Sequence, residues 1–568
     1  MFANRLFQRL ATLWNWRREK KEEEPLFESI VQGNPMTFEE RSYEVAERFL
    51  QTAVVVDDNA YSRPEEEPSD LIEPTPGSAG NVSKEELSNP AQRPQGTFNA
   101  EDISNAFVEL GIFALVLKPT LDTRISTPAY LDAIKKADLA ILDWKLVGEE
   151  NDGEQTLDIL KEVFNSSNGD RSRLVAIYTA GTELEAVASA VVGALDSFQR
   201  NGFTLSRGHS RIVIYAKEGI QKEGEGNIRV VKESSLPAKL VADYSEATRG
   251  LLSNVALEGL ARLRENTHRL LSRFSSDLDA PYVAHRLLTT PPSEAADHIH
   301  PLIADEIAAA LDEGGISELL SDQCILDYLS SRKESGHLDL AQLGNDADKA
   351  WQYLASIVGT GLEGFNGADD LHKVLVKDGK FKKDQYEKLS KIFGAVESNP
   401  NADERFSMLL SIYGSYAPYG PRLAPGVILQ EGEGDTAKYW LCIQPACDCV
   451  RLTVNRKFIM LNLEKVSETA NFDVVALDKC KSVVRLKVNR RIFEGDMPEF
   501  VPDTTLQSVK AVLKDDQWTF ESADSRMFSF LCALKQSHTH RLVQRSVGDL
   551  GRVGLTEHEW ARRKGPQA

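Results

Sequence analysis

Asp57, Asp58, Asp143, Thr179 and Lys217 each stand at or just past the end of a short apolar run. The runs cover residues 53–57, Asp138–Leu142, Leu174–Tyr178 and Arg211–Ala216. They are rich in β-branched residues and stop at polar ones, the pattern of buried strands. If the strands lie parallel in one sheet, their C-terminal ends share an edge. In open α/β sheets that edge binds ligands, above all between the first and third strands. Three carboxylates, one hydroxyl and one ammonium would meet there. Clustered carboxylates repel one another and require a cation, and an all-oxygen ligand set selects a hard ion such as Mg2+, which keeps waters and accepts a phosphoryl oxygen. Lys217 and Thr179 suit the remaining phosphoryl oxygens, one by charge and one by hydrogen bonding. A carboxylate can itself be the nucleophile that takes a phosphoryl group.

The elements that must position these residues follow from the same pattern. Helical stretches near 101–110, 128–136, 154–164 and 183–199 alternate with the strands above and with Phe113–Leu117. Such alternation predicts a doubly wound, flavodoxin-like parallel sheet over about 45–220. Residues 61–100 are foreign to it. They hold six prolines, three glycines and seven acids with almost no aromatics, too little apolar surface to offset the entropy of ordering, so a flexible insertion is expected.

The ordered motifs resemble the receiver domain of two-component response regulators. The strand-one acidic pair is Val56-Asp57-Asp58-Asn59, the acceptor is Asp143 in Ala140-Ile141-Leu142-Asp143-Trp144-Lys145, the switch hydroxyl is Thr179 in Ile177-Tyr178-Thr179-Ala180, and the lysine is Lys217 in Ile214-Tyr215-Ala216-Lys217. Asp58 and Asp143 lie 85 positions apart, whereas two βα crossovers need about 45–50 at roughly 30 residues per βαβ unit. Removing the insertion restores that length. Glu218 follows Lys217 where the family usually has proline, Tyr215 sits one place closer to the lysine than the family's switch aromatic, and the loop after Asp143 runs to Asp152-Gly153 without the usual Met-Pro step. The resemblance implies Mg2+ held by Asp57, Asp58, Asp143 and the Lys145 backbone carbonyl. It further implies phosphorylation of Asp143 by a sensor histidine kinase, with Lys217 and Thr179 on the phosphoryl group.

The other regions carry different signals. Residues 1–21 hold six Lys/Arg and one acid, with Leu6, Phe7, Leu10, Leu13 and Trp14 at helical spacing. Such a helix can lie on an anionic membrane; the plainer reading is a docking or poorly ordered extension, assigned to 1–44. From 236 to 415 the period becomes 3.6, with Leu260, Leu263, Leu270, Leu271 and Phe274 on one helix face, further helices at 301–330, 346–358 and 384–396, and no clear strand. Residues 426–568 read as antiparallel strands: Tyr439–Ile443, Val450–Val454, Phe458–Leu461, Phe472–Ala476, Val483–Val488, Val509–Leu513 and Trp518–Phe520. A turn at Asp515-Asp516 and a helical tail with a Thr556/Glu559 capping box complete that region. Gly359-x-Gly361-x-x-Gly364 follows a helix instead of a strand, so it reads as a helix end and not a dinucleotide loop. Cys442, Cys447 and Cys449 lack zinc-knuckle spacing, and His538-x-His540 reads as a surface pair.

Composition narrows the function classes. Lys plus Arg total 66 against 86 Asp plus Glu, a net charge of −20, which opposes general nucleic-acid binding. No apolar run reaches a membrane span, no signal-peptide h-region begins the chain, and six cysteines in 568 residues suit a reducing cytoplasm. No effector chemistry or ATP-binding signature follows residue 236, so the chain is expected to accept a phosphoryl group without catalysing a separate reaction. A divergent receiver with an acidic insertion, a helical middle and a β-rich end containing Ile443-Gln444-Pro445-Ala446-Cys447-Asp448-Cys449 resembles the non-effector receiver proteins of bacterial antiphage two-component systems of the Detocs type. That resemblance implies a phosphate sink beside a histidine kinase and an effector-bearing receiver protein. The alternative is a degenerate receiver that binds a partner through its C-terminal region without phosphorylation.

Overall fold

The computed structural model describes residues 36–60, 98–119, 128–146, 153–165, 172–181, 183–196, 198–218, 229–292, 294–313, 315–364, 376–377, 380–381, 391–393, 402–414, 420–467, 470–478, 480–489 and 491–550. The basic stretch 1–21, nearly all of the expected insertion and the Thr556/Glu559 tail lie outside them. The chain divides into two compact units, one comprising residues 1–267, 310–335 and 352–366, the other residues 268–309, 336–351 and 367–568. Among the described residues no helix is long and apolar enough to cross a membrane.

The first unit is built on α1 (Phe38–Phe49), β1 (Thr52–Val56), α2 (Ala100–Glu109), β2 (Phe113–Leu117), α3 (Pro128–Lys136), β3 (Leu139–Leu142), α4 (Glu154–Asn165), β4 (Arg173–Thr179), α5 (Leu184–Ala194), β5 (Gln199–Asn201), β6 (Thr204–Arg207), β7 (Ser210–Lys217), β8 (Val230–Val231), α6 (Leu236–Thr248) and α7 (Leu251–Glu265). The sheet runs β2-β1-β3-β4-β7-β6-β5, parallel through β7. Strand alternation sorts side chains onto two faces. Ala53, Val55, Leu139, Ile141, Ala176, Tyr178, Val213 and Tyr215 form one core with α1, α2 and α6. Val54, Val56, Ala140, Leu142, Val175, Ile177, Ile212 and Ile214 form the other with α3, α4 and α5. Strands buried on both faces are apolar throughout, which is why they were legible as runs.

The first unit departs from the sequence reading in four places. The helix expected over 183–199 stops at Ala194, and Gln199–Asn201 pairs with Thr204–Arg207 as an antiparallel edge hairpin against β7. The domain boundary drawn at residue 44 falls inside α1, whose capping box (Thr37 with Glu40) starts a helix that packs into the first core, and α6, expected to begin a separate helical region, fills the same face. The expected face is broken up: Leu260 and Leu263 lie on α7, Leu270 and Leu271 on a second helix, and Phe274 just past its end, with Leu260, Leu271 and Phe274 exposed. α7 instead buries Leu257, Gly259 and Ala261; a Cβ at Gly259 would come within 3.2 Å of Leu311 and 3.3 Å of Ile316. Close backbone approach, not a leucine stripe, decides that contact.

The remaining helices are Thr267–Arg273, Asp279–Leu288, Glu294–Glu313, Asp322–Glu334 and Ala347–Gly364 (α8 to α12), and Ala402–Ser411 (α13). α12 bends at Gly361 (φ 67°, ψ 171°), as a helix-end reading of the glycines requires. A two-residue ribbon, Val376–Lys377 with Lys380–Phe381 (β9 and β10), interrupts the region expected to lack strands, and of the helix expected at 384–396 only 391–393 is described.

In the second unit an antiparallel sheet runs in the order β15-β16-β14-β12-β11-β20-β19-β18. Its strands are β11 (Val427–Glu431), β12 (Lys438–Cys442), β14 (Met460–Lys465), β15 (Val474–Leu477), β16 (Val483–Val488), β18 (Val512–Lys514), β19 (Gln517–Glu521) and β20 (Met527–Ala533); β13 (Arg456–Lys457) and β17 (Glu499–Phe500) pair separately, and helix α14 (Gln536–Leu550) follows. Val450–Val454 is irregular instead of a strand, and the central strands β11 and β20 were not anticipated. Cys442 and Cys449 are buried reduced thiols. His538 is half-buried with Nε2 3.0 Å from the Asp473 carbonyl oxygen, so it is no solvated surface residue.

Candidate functional site

The parallel ladder assembles the site. β1 ends at Val56 and β3 at Leu142, which are register partners, so Asp57 and Asp143 emerge side by side at the switch point between the first and third strands. Backbone bonds fix them there. The Asp57 N–H donates to the Leu117 carbonyl at 3.1 Å, and the Asp143 N–H donates to the Val56 carbonyl at 2.9 Å. On the other side, Thr179 is the register partner of Ala216, which places it beside Lys217.

Lys217 closes the cluster. Its Nζ donates to Asp57 Oδ2 at 2.6 Å and to Asp143 Oδ2 at 2.7 Å, with all three side chains almost fully buried. Its ammonium lies over the rings of Phe98 and Tyr178, whose centroids are 5.5 and 5.7 Å from Nζ. Burial alone would lower the Lys217 pKa, but the two carboxylates outweigh it and hold the ammonium above its ordinary value. Asp58 is half-buried and accepts from Asn59 Nδ2 at 2.9 Å, while the Asn59 N–H donates to Asp57 Oδ1 at 2.9 Å.

Asp57, Asp58 and Asp143 bring one carboxylate oxygen each within 4.8 Å of one another. Burial pushes the Asp143 carboxyl up to about 6; Asp57 and Asp58 add to the rise and Lys217 opposes it. Asp58 is also raised, first by burial and then by Asp57. Three carboxylates and one ammonium leave an excess of negative charge in a largely buried place. An all-oxygen set of this kind fits a hard divalent cation such as Mg2+. Lys145 lies two residues beyond Asp143 with its side chain exposed. Thr179 is buried, and its Oγ1 accepts from the Gly181 N–H at 3.0 Å, leaving the hydroxyl proton to donate.

The family model of the response receiver domain matches residues 49–222, less than a third of the 568-residue chain. Residues 49–222 form a receiver domain. Receiver domains hold Mg2+ through an acidic aspartate cluster and work with histidine kinases, and Asp57, Asp58 and Asp143 are the matching group in this receiver. No curated protein and no solved structure matches the chain.

The receiver also contains functional neighbours that the sequence reading passed over. Phe98, the first buried residue after the 61–97 stretch, covers Lys217. Tyr178 donates its hydroxyl to the Val231 carbonyl at 2.8 Å, and Val231 pairs with Lys217, so β8 braces the lysine strand. Thr156 of α4 is fully buried and donates to the Asp143 carbonyl at 2.7 Å. Tyr178 directly precedes Thr179 and could have been suspected; Phe98 is far in sequence from every motif residue, and a single threonine inside a helix leaves no sequence signal. Tyr215 faces α6, where it donates to Asp243, and not the Thr179 side of the sheet.

Proposed function

We propose that this chain accepts a phosphoryl group from a sensor histidine kinase onto Asp143 and, within an antiphage two-component system in the cytoplasm, drains phosphoryl groups that would otherwise reach an effector-bearing receiver. The observation that carries the acceptor reading is Lys217 bonded at once to Asp57 and Asp143 at the switch point of the sheet. In the transfer, an Asp143 carboxylate oxygen bonds to phosphorus while the P–N bond of the kinase phosphohistidine breaks, and the departing imidazole nitrogen takes a proton. Mg2+ held by Asp57, Asp58, Asp143 and the Lys145 carbonyl would neutralise phosphoryl charge. Lys217 pairs with a phosphoryl oxygen, and Thr179 donates its free proton to another. Phosphoryl transfer asks mainly for positioning and charge stabilisation, which these residues supply. We take the chain to perform no separate substrate chemistry.

The sink role rests on the architectural resemblance to the Detocs-type receivers and on the lack of an effector signature after residue 236. Co-expression with a matching kinase and effector, scored by growth without phage, tests it. Wild type should suppress spontaneous toxicity and Asp143→Ala should not. Equal protection by both favours the second reading, a docking module; the anchoring of Tyr215 on Asp243, away from Thr179, is the feature that speaks for it.

A further inference from the structure

The acceptor residue is pinned at both ends of its backbone, by two different elements. Its N–H is held by the Val56 carbonyl at 2.9 Å, a ladder bond that the strands provide. Its C=O is held by the Thr156 hydroxyl at 2.7 Å, and the same hydroxyl lies 3.3 Å from the Trp144 carbonyl. Thr156 stands in the first turn of α4, where a threonine hydroxyl ordinarily serves its own helix terminus. Here it reaches out of the helix. A second contact acts on the same peptide. Trp144 is buried against Gly153, the residue before α4, which has φ +80°; a methyl group built on Gly153 would overlap the indole ring. Only glycine leaves room for the ring against that backbone.

We infer that Thr156 is a positioning residue for the phosphoacceptor, orienting Asp143 through its backbone carbonyl without touching the phosphoryl group. This rests on the acceptor reading of Asp143. The Asp143 carboxylate must give one oxygen to Lys217, at 2.7 Å, and present the other to phosphorus. Its direction is set by the Cα–Cβ vector, which the N, Cα and C positions of residue 143 fix; the 143–144 peptide plane anchors the last of these. A misplacement of about 1 Å at a reacting atom costs on the order of 100-fold in rate. Strand pairing ends at Leu142, so beyond it the ladder no longer restrains that plane. Thr156 and the Trp144–Gly153 contact take over where the ladder stops. They do so at the place where the loop departs from the family's usual sequence.

The test compares Thr156→Val, which keeps the shape and removes the donor, with Thr156→Ser, which keeps the donor. Full-length proteins are phosphorylated with acetyl phosphate and Mg2+, and their thermal melting is recorded. Mg2+ binding is followed separately by tryptophan fluorescence. Thr156→Val should lower the maximal phosphorylation rate at least tenfold, change the acetyl phosphate KM less than twofold, and weaken Mg2+ binding at least threefold. Thr156→Ser should stay within threefold of wild type in each. A Thr156→Val protein whose folded fraction reacts at the wild-type rate overturns the inference, whatever its melting temperature. If the serine variant falls with the valine variant, the donor is not the cause and the inference is likewise overturned. A wild-type chain that takes no label at Asp143 overturns the acceptor reading itself, and the positioning role with it.

Discussion

The hydroxyl of Tyr215 donates to the carboxylate of Asp243, tying the last long strand of the receiver sheet to α6 in a fully buried contact. Lys239 is the second partner of Asp243, at 3.0 Å. Residues 213 and 215 share the face covered by α1, α2 and α6, so the aromatic one place closer to Lys217 than the family pattern lies on the opposite side of the sheet from a residue three places before it.

Tyr215→Phe should therefore act on stability and not on chemistry. It leaves a buried carboxylate short of one donor, a loss of about 1–3 kcal/mol. Urea unfolding measures the loss, and phosphorylation of Asp143 in the same protein should keep its wild-type rate. A large fall in that rate would mean that the phenol takes part in acceptance.

A pH dependence follows from the Asp143 carboxyl, held up to about 6 chiefly by burial against an unperturbed value of 3.8. Between about pH 4 and 6 this carboxyl binds more proton in the folded chain than in the unfolded chain, so its contribution to stability declines as pH rises through that window. Near pH 7.5 the cost is fully present. Asp143→Asn removes it and should be more stable than wild type there by on the order of 1–3 kcal/mol, with the advantage shrinking toward pH 4. Denaturant titrations of both proteins at pH 7.5 and 4.5, without Mg2+, make the comparison; an advantage that grew at the lower pH would have the wrong sign.

The β18–β19 hairpin offers a test in the second unit. Asp515 and Asp516 have φ 48° and 59°, the two positive values that a type I′ turn requires. Asp tolerates them less well than Asn-Gly does. Asp515→Asn with Asp516→Gly should raise stability by about 0.5–1 kcal/mol, read from the unfolding midpoint of the full chain.

That turn was legible in the sequence because its residue types carry their own backbone preference, and the inner receiver strands β1, β3, β4 and β7 were legible because burial on both faces makes them largely apolar. The edge hairpin β5–β6 was not. Gln199–Asn201 and Thr204–Arg207 are polar segments held by pairing with β7 instead of by burial. β11 and β20 escaped notice for a different reason. Val-Ile-Leu-Gln-Glu is too short to separate strand from helix by period, and its partner Met527–Ala533 is assigned by long-range pairing. The convergence of Asp57, Asp58, Asp143, Thr179 and Lys217 follows from parallel strands sharing one C-terminal edge, and it was legible because strand ends are readable. Thr156 was hidden, since its role depends on where α4 docks.

The most direct measurement is mass-spectrometric mapping of the phosphorylated residue after incubation with acetyl phosphate or a phosphorylated histidine kinase, with Mg2+ and with EDTA. The account predicts an acid-stable, base-labile aspartyl phosphate on Asp143 alone. It should depend on Mg2+, disappear in Asp143→Ala, and be strongly reduced when Asp57 and Asp58 are both changed to Asn. Undiminished labelling of the Asp143→Ala protein, or full labelling of wild type in EDTA, would contradict it.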